Sequence, residues 1–370
     1  MMNSKKFQTF FDCGSSKIRA GIFNIDNKDE FFYDESEFFI DPSHLESKIE
    51  KIITSFEKNT NEYINNINLM IDSPKMLSIG ISMSKKFYGS KLKKTNIQFL
   101  VQEAKQQILK YYPNYNITHI IINNYIIDGV DHSYLPGEIR CDFISLDILF
   151  LCLPNDLVLY FKKIYSKFNI SINKIICSSY AKSILYKNNL NLNGYVSFID
   201  VGFNRTSIIS YLNDKILYLD ILPVGGNHVT KDISKIFKID LEQSEQVKRN
   251  FDKNQKLSHD VNISIEKLKK IIFARIEEII ELCTKSIESN SHLSDKFKIV
   301  LMGDGAKMLK NQTKDKNFLS NDIDFLEETL GEICQSGFSF LRKPIKQEVV
   351  VVPKKQTKHG FFEKFFHFFR

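Results

Sequence analysis

The stretch YVSFIDVGFNRTSIISYL, residues 195–212, decides the fold together with a similar stretch near the start of the chain. An apolar run ends there in Asp200-Val201-Gly202 and another begins at Thr206, which is the pattern of two strands joined by a turn. The same pattern stands near the start of the chain as FQTFFDCGSSKIRAGIFNI, residues 7–25, with Asp12-Cys13-Gly14 at its turn. A strand, turn and strand unit that occurs twice predicts two related lobes.

The chemistry of the two turns suits a phosphate ligand. Glycine lets backbone N–H groups approach phosphate oxygens, and the aspartate can hold Mg²⁺ through water. Each Asp-x-Gly turn taken alone is equally typical of a plain hairpin. A third segment adds to the pair, because the apolar run 298–302 leads into Gly303-Asp304-Gly305-Ala306. This segment is expected to open a helix where a ribose or base can lie against backbone, so the sequence predicts a nucleotide site between two lobes.

Other common nucleotide and catalytic motifs are excluded by spacing. Met308 stands where the third glycine of a GxGxxG dinucleotide fingerprint belongs, and the sequence has no Gly-x-x-x-x-Gly-Lys-Ser/Thr phosphate loop. It contains neither a GxSxG nucleophile elbow nor an HExxH zinc motif. Because no carboxylate is marked by its position as a catalytic base, hydrolysis of the nucleotide is expected to be weak or absent.

Length and composition agree with a two-lobe globular protein. The chain has 370 residues, of which 43% are hydrophobic and 26% charged, and this length exceeds what a single core usually organises. Its net charge of +7 comes from lysines scattered along the whole chain, so we expect no nucleic acid partner. The six cysteines form no CxxC pair and predict reduced core thiols. No apolar stretch reaches the length of a membrane span, and no signal peptide pattern is present, which predicts a cytoplasmic protein.

Between the turns, periodicity predicts a mixture of short strands and helices. The helices are expected at 46–64, 98–112, 155–168, 180–186, 265–287 and 325–341. The stretch from 68 to 160 combines one of these helices with strands at 69–71, 77–83, 119–123 and 143–152. It is expected to form a compact α+β insert.

The last ten residues differ from everything before them. A proline- and lysine-containing stretch, 344–360, is a linker by composition. On a helical wheel the six phenylalanines after it fall within an arc of roughly 160°, opposite Glu363 and His367. Burying each phenylalanine in a lipid interface is worth about 1.5 to 3 kcal/mol before ordering costs. A membrane-binding helix is predicted, with a terminal helix docked on the protein's own core as the alternative. Lys364 and Arg370 lie opposite the phenylalanines, where they can attract anionic lipid. The predicted membrane-binding residues are Phe361, Phe362, Lys364, Phe365, Phe366, Phe368, Phe369 and Arg370.

Four motifs, taken in order, resemble the FtsA family of bacterial actin-like proteins. They are Asp12 to Lys17, Asp200-Val201-Gly202, the run LPVGGNHVTKDI at 222–233, and Ile299 to Ala306. The glycine-rich run is the most specific of them. The resemblance implies an α/β, actin-like (ASKHA) two-lobe ATPase fold with an FtsA-type 1C insert and a C-terminal amphipathic helix.

The resemblance also implies a division into subdomains. Subdomain 1A would comprise 1–67, 161–194 and 325–343, with subdomain 1C at 68–160. Subdomain 2A would comprise 195–227 and 298–324, and subdomain 2B would be 228–297. A linker at 344–360 and the membrane-targeting helix at 361–370 would complete the chain.

Carried over residue by residue, the resemblance implies a site for ATP and Mg²⁺. The nucleotide would be bound by Asp12, Gly14, Ser15, Ser16, Lys17, Asp200, Gly202, Thr206, Gly225, Gly226, Asn227, Arg275, Glu278, Gly303, Gly305 and Ala306. Asp12 and Asp200 would hold Mg²⁺ through water, and Arg275 or Glu278 would reach the base. The sequence departs from the family pattern after Gly202, where Phe203, Asn204 and Arg205 replace a glycine run, and at Asp304, where the family usually has a second glycine.

The function implied by the resemblance is a peripheral membrane anchor for cell division. Such a protein tethers FtsZ filaments to the inner face of the cytoplasmic membrane at the division site and associates with itself into actin-like filaments. The FtsZ C-terminal peptide would bind within 228–297, where Lys231, Lys235 and Lys238 suit an acidic partner. Anionic lipids would bind the tail. Two alternatives stay open: a PilM-like pilus-assembly protein and a small-molecule kinase of the same superfamily.

Overall fold

A computed structural model describes residues 6–27, 29–37, 42–137, 139–251, 264–290, 297–308, 322–342 and 348. The predicted tail helix at 361–370 lies outside the described residues, as does the linker at 344–360 except for Glu348. Among the helices that are described, none has the length and apolar character needed to cross a membrane.

The first lobe is built on a five-stranded sheet. Its strands are β1 (Phe7–Cys13), β2 (Lys17–Asn24), β3 (Phe31–Glu37), β4 (Asn66–Met70) and β9 (Ser171–Ile176), in the order β3-β2-β1-β4-β9. The first three strands run antiparallel to their neighbours, and β4 and β9 continue the sheet in parallel. The predicted hairpin over 7–25 is confirmed by this pairing.

The second lobe repeats the same sheet. Its strands are β10 (Tyr195–Val201), β11 (Thr206–Leu212), β12 (Lys215–Leu222), β13 (Lys298–Met302) and β14 (Asp322–Phe325), in the order β12-β11-β10-β13-β14. Again an antiparallel meander is followed by two parallel strands. The two sheets therefore have one topology, which confirms the prediction of two related lobes.

The lobes also agree in register. Asp12 pairs with Arg19 across β1 and β2, and Asp200 pairs with Ser207 across β10 and β11. Each aspartate is the last residue but one of the first strand in its lobe. Because the strand beside it is parallel in both lobes, each aspartate lies at the carboxyl edge of its sheet, where open α/β sheets bind ligands.

A third sheet forms the insert. Its strands are β5 (Leu77–Lys91), β6 (Tyr115–Ile127), β7 (Val130–His132) and β8 (Arg140–Pro154), in the order β5-β8-β6-β7. Helix α2 (Lys94–Tyr111) packs its apolar face on this sheet through Leu100, Val101 and Ala104. The insert touches the second lobe where the Asn123 side-chain amide donates to the Ile216 carbonyl oxygen at 2.7 Å.

Within the described residues, seven further α-helices cover the two large sheets. They are α1 (Leu45–Thr60), α3 (Asn155–Ser166), α4 (Ser178–Asn189), α5 (Gly226–Phe237), α6 (Leu241–Asn250), α7 (Ile265–Asn290) and α8 (Leu330–Arg342). Helix α1 shows why they fold where they do, since Ile49, Ile52, Ile53 and Phe56 recur at helical spacing and are buried. Helix α4 lies in one continuous apolar core with residues of both large sheets, so it joins the lobes.

One boundary prediction near the end of the chain was wrong. The helix expected from 325 begins at Leu330, and residues 322–325 form the edge strand β14, with Ile323 and Phe325 packed on the core of the second lobe. The helix expected to open after β13 is present as a 3₁₀ helix, Asp304–Met308. The cysteine prediction is confirmed, because all six are free and buried.

Glu348 is held against the folded body by two contacts. Its carboxylate accepts a hydrogen bond from Nδ1 of the buried His119 at 3.0 Å, and it pairs with Ile121 as an isolated bridge. The other ring nitrogen of His119 accepts a hydrogen bond from the backbone N–H of Cys177 at 2.9 Å. Burial raises the pKa of Glu348, but His119 and Lys174 outweigh burial and hold it below its usual value.

We predict that Gly337→Val destabilises the first lobe. A Cβ at this position of α8 would come within 2.5 Å of Met70 Sδ and 2.8 Å of a Phe10 ring carbon, and the Phe10 ring is packed between those of Phe23 and Phe338. Overpacking of this kind costs about 1 to 3 kcal/mol in the free energy of unfolding, measurable by urea denaturation.

Gly80→Val is the matched control, because no atom lies within 4 Å of a Cβ at that position of β5. Its free energy of unfolding is expected to stay within about 0.5 kcal/mol of wild type. Equal stabilities of the two variants would contradict the close packing of α8 on β1.

Candidate functional site

A cavity of about 380 Å³ lies between the lobes, at the carboxyl edges of both large sheets. We call it the cleft. This volume is within the range of small-molecule sites. Of the residues predicted from the sequence, ten line the cleft: Asp12, Gly14, Ser15, Ser16, Lys17, Asp200, Gly202, Gly226, Gly303 and Gly305. The two Asp-x-Gly turns are thus brought together as expected from their chemistry.

The two turns, residues 12–17 and 200–205, have the same backbone hydrogen bond. The Gly14 N–H donates to the Lys17 carbonyl oxygen at 2.9 Å, and the Gly202 N–H donates to the Arg205 carbonyl oxygen at 2.8 Å. In each case a Cβ on the glycine would lie 3.1 Å from that same oxygen. A side chain at either glycine would therefore be in tight contact with the equivalent carbonyl oxygen of its turn.

The glycine-rich run at 225–227 supports the second turn from behind. The Gly226 N–H donates to the Gly202 carbonyl oxygen at 2.9 Å, and the Asn227 N–H donates to that of Phe203 at 2.7 Å. A Cβ on Gly225 would lie 2.5 Å from the Gly202 oxygen and 2.8 Å from the Phe203 oxygen. This run sets the position of the second turn.

The remaining predicted residues are not part of the described cleft wall. Thr206, Gly225, Asn227 and Ala306 lie behind it; the Thr206 hydroxyl donates to the Val224 carbonyl oxygen at 2.8 Å. Arg275 and Glu278 form a separate cluster on α7, where Arg275 pairs with Asp232 at 2.7 Å and with Glu278 at 2.6 Å. Where a base contact was predicted for α7, the described wall instead contains residues of α6.

Helix α6 supplies the side of the cleft that sequence reasoning missed. The Lys248 ammonium is buried and donates to the Gly226 carbonyl oxygen at 3.0 Å and to the Glu245 carboxylate at 2.5 Å. Arg249 pairs with Glu245 at 2.8 Å and with Glu37 of β3 at 2.7 Å, which connects the lobes. The spacing of Glu245, Lys248 and Arg249 on one helical face is the signal that was available, but it is equally typical of a solvated helix.

The carboxylates of both turns already have cationic or hydrogen-bonding partners. Asp12 accepts a hydrogen bond from the Ser178 hydroxyl at 2.6 Å and pairs with Arg19 at 3.4 Å. Asp200 pairs with Lys182 at 2.8 Å and with Arg205 at 3.8 Å. Burial raises the pKa of Asp200, but these two cations outweigh burial and hold it below its usual value.

Lys182 of α4 is the most enclosed cation of the cleft wall. Its ammonium lies 2.8 Å from Asp200 and 3.1 Å from Glu328, and only 5% of the residue is exposed. Burial lowers the pKa of Lys182, but the two carboxylates outweigh burial and raise it above its usual range. Lys182 is therefore charged at neutral pH. Burial raises the pKa of Glu328, and the neighbouring Asp200 adds to the effect against the opposing field of Lys182.

These contacts do not fit a magnesium ion held by Asp12 and Asp200. Magnesium requires oxygen ligands in octahedral geometry, usually with several waters. Both carboxylates are buried, with exposures of 7% and 3%, and both already accept bonds from protein donors. In the part of the chain that the structure describes, no group of three or more His, Cys, Asp or Glu residues is arranged to hold a metal.

The two repeated sheets and the cleft between them define the class of this protein, which has an actin-like ATPase fold. The solved structure of a PilM–PilN type IV pilus biogenesis complex aligns with 88% of this chain and 89% of that chain, at a TM-score of 0.62 and 12% identity. MreB5 of Spiroplasma citri bound to ADP aligns with 92% of this chain and 98% of that chain, at a TM-score of 0.50 and 12% identity. At such identities the likeness concerns the fold alone.

The sequence comparisons show similarity to one family of proteins. The family model described as Cell division protein FtsA matches residues 197–315. Cell division protein FtsA of Buchnera aphidicola subsp. Acyrthosiphon pisum (strain APS) is 24% identical over 358 residues, covering 82% of both proteins. The FtsA of Bacillus subtilis (strain 168) is 23% identical over 224 residues, 56% of this chain and 50% of that protein. The chain is similar to proteins of the FtsA family, in agreement with the resemblance of its motifs.

We predict that Gly225→Ala displaces the second turn. The atoms that its Cβ would meet are backbone atoms of residues 202, 203 and 205, which cannot rotate away. The expected cost is about 1 to 3 kcal/mol in the free energy of unfolding, measured by urea denaturation. Gly226→Ala is the control, since its Cβ would meet nothing closer than 3.5 Å, and the prediction is wrong if the two neighbours cost the same.

A second prediction concerns pH. Burial raises the pKa of Glu245, but Lys248, Thr230 and Arg249 outweigh burial and hold it below its usual value. A carboxylate whose pKa is lower in the folded than in the unfolded state stabilises the protein above the unfolded pKa of about 4.3, and this stabilisation is lost as pH falls through the folded pKa.

Glu245→Gln should therefore cost about 3 kcal/mol at pH 7, because it leaves the buried Lys248 ammonium unpaired. The difference from wild type should narrow in acid, where the wild-type carboxyl is also protonated; urea denaturation at the two pH values measures it. Glu242→Gln, at an exposed position of the same helix, should change the free energy of unfolding by less than about 0.5 kcal/mol at either pH. A constant difference between Glu245→Gln and wild type would refute the assignment.

Proposed function

We propose that this protein is an FtsA-type cell division protein: a peripheral anchor that binds adenine nucleotide in the cleft and tethers FtsZ filaments to the inner face of the cytoplasmic membrane at the division site. The observation that carries the proposal is the match to proteins named Cell division protein FtsA, one of which aligns over 82% of this chain. The family model also matches the residues that form the second turn and the wall after β13.

Nucleotide binding is supported by the geometry of the cleft. Two glycine turns with the same backbone hydrogen bond line a cavity of about 380 Å³, together with Lys17 and Lys248. Backbone N–H groups at such turns and nearby ammonium groups are suitable ligands for phosphate oxygens. The structural neighbour MreB5 is described bound to ADP. Hydrolysis is not part of the proposal, because every carboxylate named in the cleft wall is engaged by a cation.

The membrane contact is proposed for the last ten residues on the strength of their sequence. Six phenylalanines on one face provide apolar area, while Lys364, Arg370 and the lysines of the linker attract anionic lipid. Because two signals act together, apolar insertion and positive charge, reversible but firm attachment is expected.

The FtsZ contact is proposed for the region 228–297. Lys231, Lys235 and Lys238 are exposed on and just after α5, and a row of exposed lysines suits an acidic peptide. Self-association into actin-like filaments is proposed from the family and the fold. The alternative with a specific observation in its favour is a PilM-like role, because the PilM complex shares the fold over 88% of this chain.

Sedimentation with anionic liposomes tests the proposal. FtsZ filaments are mixed with the liposomes and either the full chain or a chain that ends before Gly360. Filaments should enter the pellet only with the full chain, since the tail supplies the lipid contact. A variant with Phe365→Asp and Phe366→Asp should behave as the truncated chain, while Lys86→Asp, an exposed change on β5, should not reduce sedimentation.

Each other outcome identifies the part that fails. If the protein sediments but FtsZ stays in solution, the partner is wrong and the PilM-like role gains support. If the full chain stays in solution with or without FtsZ, the tail does not bind lipid and the anchor function is wrong.

A further inference from the structure

The cleft contains a cation of its own at the position where an actin-like site was expected to use a metal. Lys182 lies on α4 and faces Asp200, which is near the end of β10, the first strand of the second lobe. Its Nζ is 2.8 Å from Asp200 and 3.1 Å from Glu328. An ammonium has three donors, so two carboxylates leave a donor for a further oxygen.

The surroundings of Lys182 disfavour a second cation. Arg205 lies 3.8 Å from the same Asp200 carboxylate and also pairs with the fully buried Asp72. Arg19 pairs with Asp12, the equivalent carboxylate of the first turn. A divalent ion placed between these aspartates would face three fixed cations in a poorly solvated site, where like charges repel strongly.

The charge of the cleft wall also disfavours a divalent cation. The described lining residues include seven basic and five acidic side chains, a formal excess of two positive charges. Glu37 and Asp72 contact three of the cations without lining the cleft, so the wall with its supports is close to neutral. All seven cations line the cavity itself, so they are placed to neutralise a polyphosphate directly.

We propose that the ammonium of Lys182 replaces the divalent cation, so that this cleft binds nucleotide phosphate without magnesium. The inference rests on the proposed nucleotide binding and goes beyond it, because it states what neutralises the phosphates. Lys182 is a binding residue in this scheme, and Asp200 and Glu328 hold its ammonium in place.

The test is binding of ATP that carries a fluorescent N-methylanthraniloyl group on the ribose, titrated with the full chain in magnesium or in excess EDTA. Wild type should bind with a Kd in EDTA within about threefold of that in magnesium. Lys182→Met should weaken binding in EDTA by about tenfold or more, since one charge contact to phosphate is lost. Magnesium should restore part of this loss, because Asp200 and Glu328 are then open to a cation.

Two further variants serve as controls, one for the loss of any buried lysine of α4 and one for misfolding of Lys182→Met. Lys187→Met removes a buried lysine of the same helix that pairs with Asp214 at 2.8 Å and is not among the described cleft residues, and it should leave both Kd values unchanged. If Lys182→Met does not fold, the double variant Lys182→Met with Glu328→Gln removes a cation and a carboxylate together. It should show the same dependence on magnesium.

The outcomes separate this inference from the proposed function. Binding by wild type that is lost in EDTA overturns the inference and leaves a nucleotide site. Binding in EDTA that Lys182→Met does not weaken also overturns it. Absence of binding under both conditions overturns the nucleotide site itself and the inference with it.

Discussion

The ion pair between Lys182 and Asp200 joins the helix of one lobe to the sheet of the other. Both groups are almost completely buried, and removing one partner of such a pair typically costs about 3 to 5 kcal/mol because an uncompensated charge remains in the interior. Helix α4 can cross between the lobes only because its charged face is neutralised there by Asp200 and Glu328. The apolar face of the same helix lies in the core that unites the lobes, where the Ser183 and Tyr211 hydroxyls are 2.7 Å apart. The distance between the two turns, and so the width of the cleft, follows from this junction.

The ion pairs at the mouth of the cleft add to this junction. Arg19 of β2 pairs with Asp304 after β13, and Arg249 of α6 pairs with Glu37 of β3. Each pair joins the lobes, and each is more exposed than Lys182, so its contribution is reduced by solvent and salt.

The repeated sheets could be predicted from the sequence because strand, turn and strand are neighbours along the chain. The Asp-x-Gly turns are recognisable from residues 12–14 and 200–202, and the position of each turn fixes how the two strands beside it pair. Strand β14 could not be predicted, since a four-residue edge strand is defined by its parallel neighbour β13 and not by its own pattern. The ion pair of Asp200 with Lys182 could not be predicted either, because in the sequence Lys182 is one of many lysines and nothing marks it as buried. Helix α6 was missed for a related reason: buried charge pairs have the same spacing as solvated ones.

The contact of Glu348 with His119 limits how far the last ten residues can reach from the folded body. The chain is attached to the folded body at this carboxylate, and 12 residues separate it from Phe361. A fully extended chain gains at most about 3.6 Å per residue, so the start of the last ten residues stays within about 47 Å of Glu348. Any surface that binds those residues is therefore held within that distance of the folded body. His119 lies on β6 of the insert and accepts a hydrogen bond from the Cys177 N–H, so this limit is counted from the boundary between the insert and the first lobe.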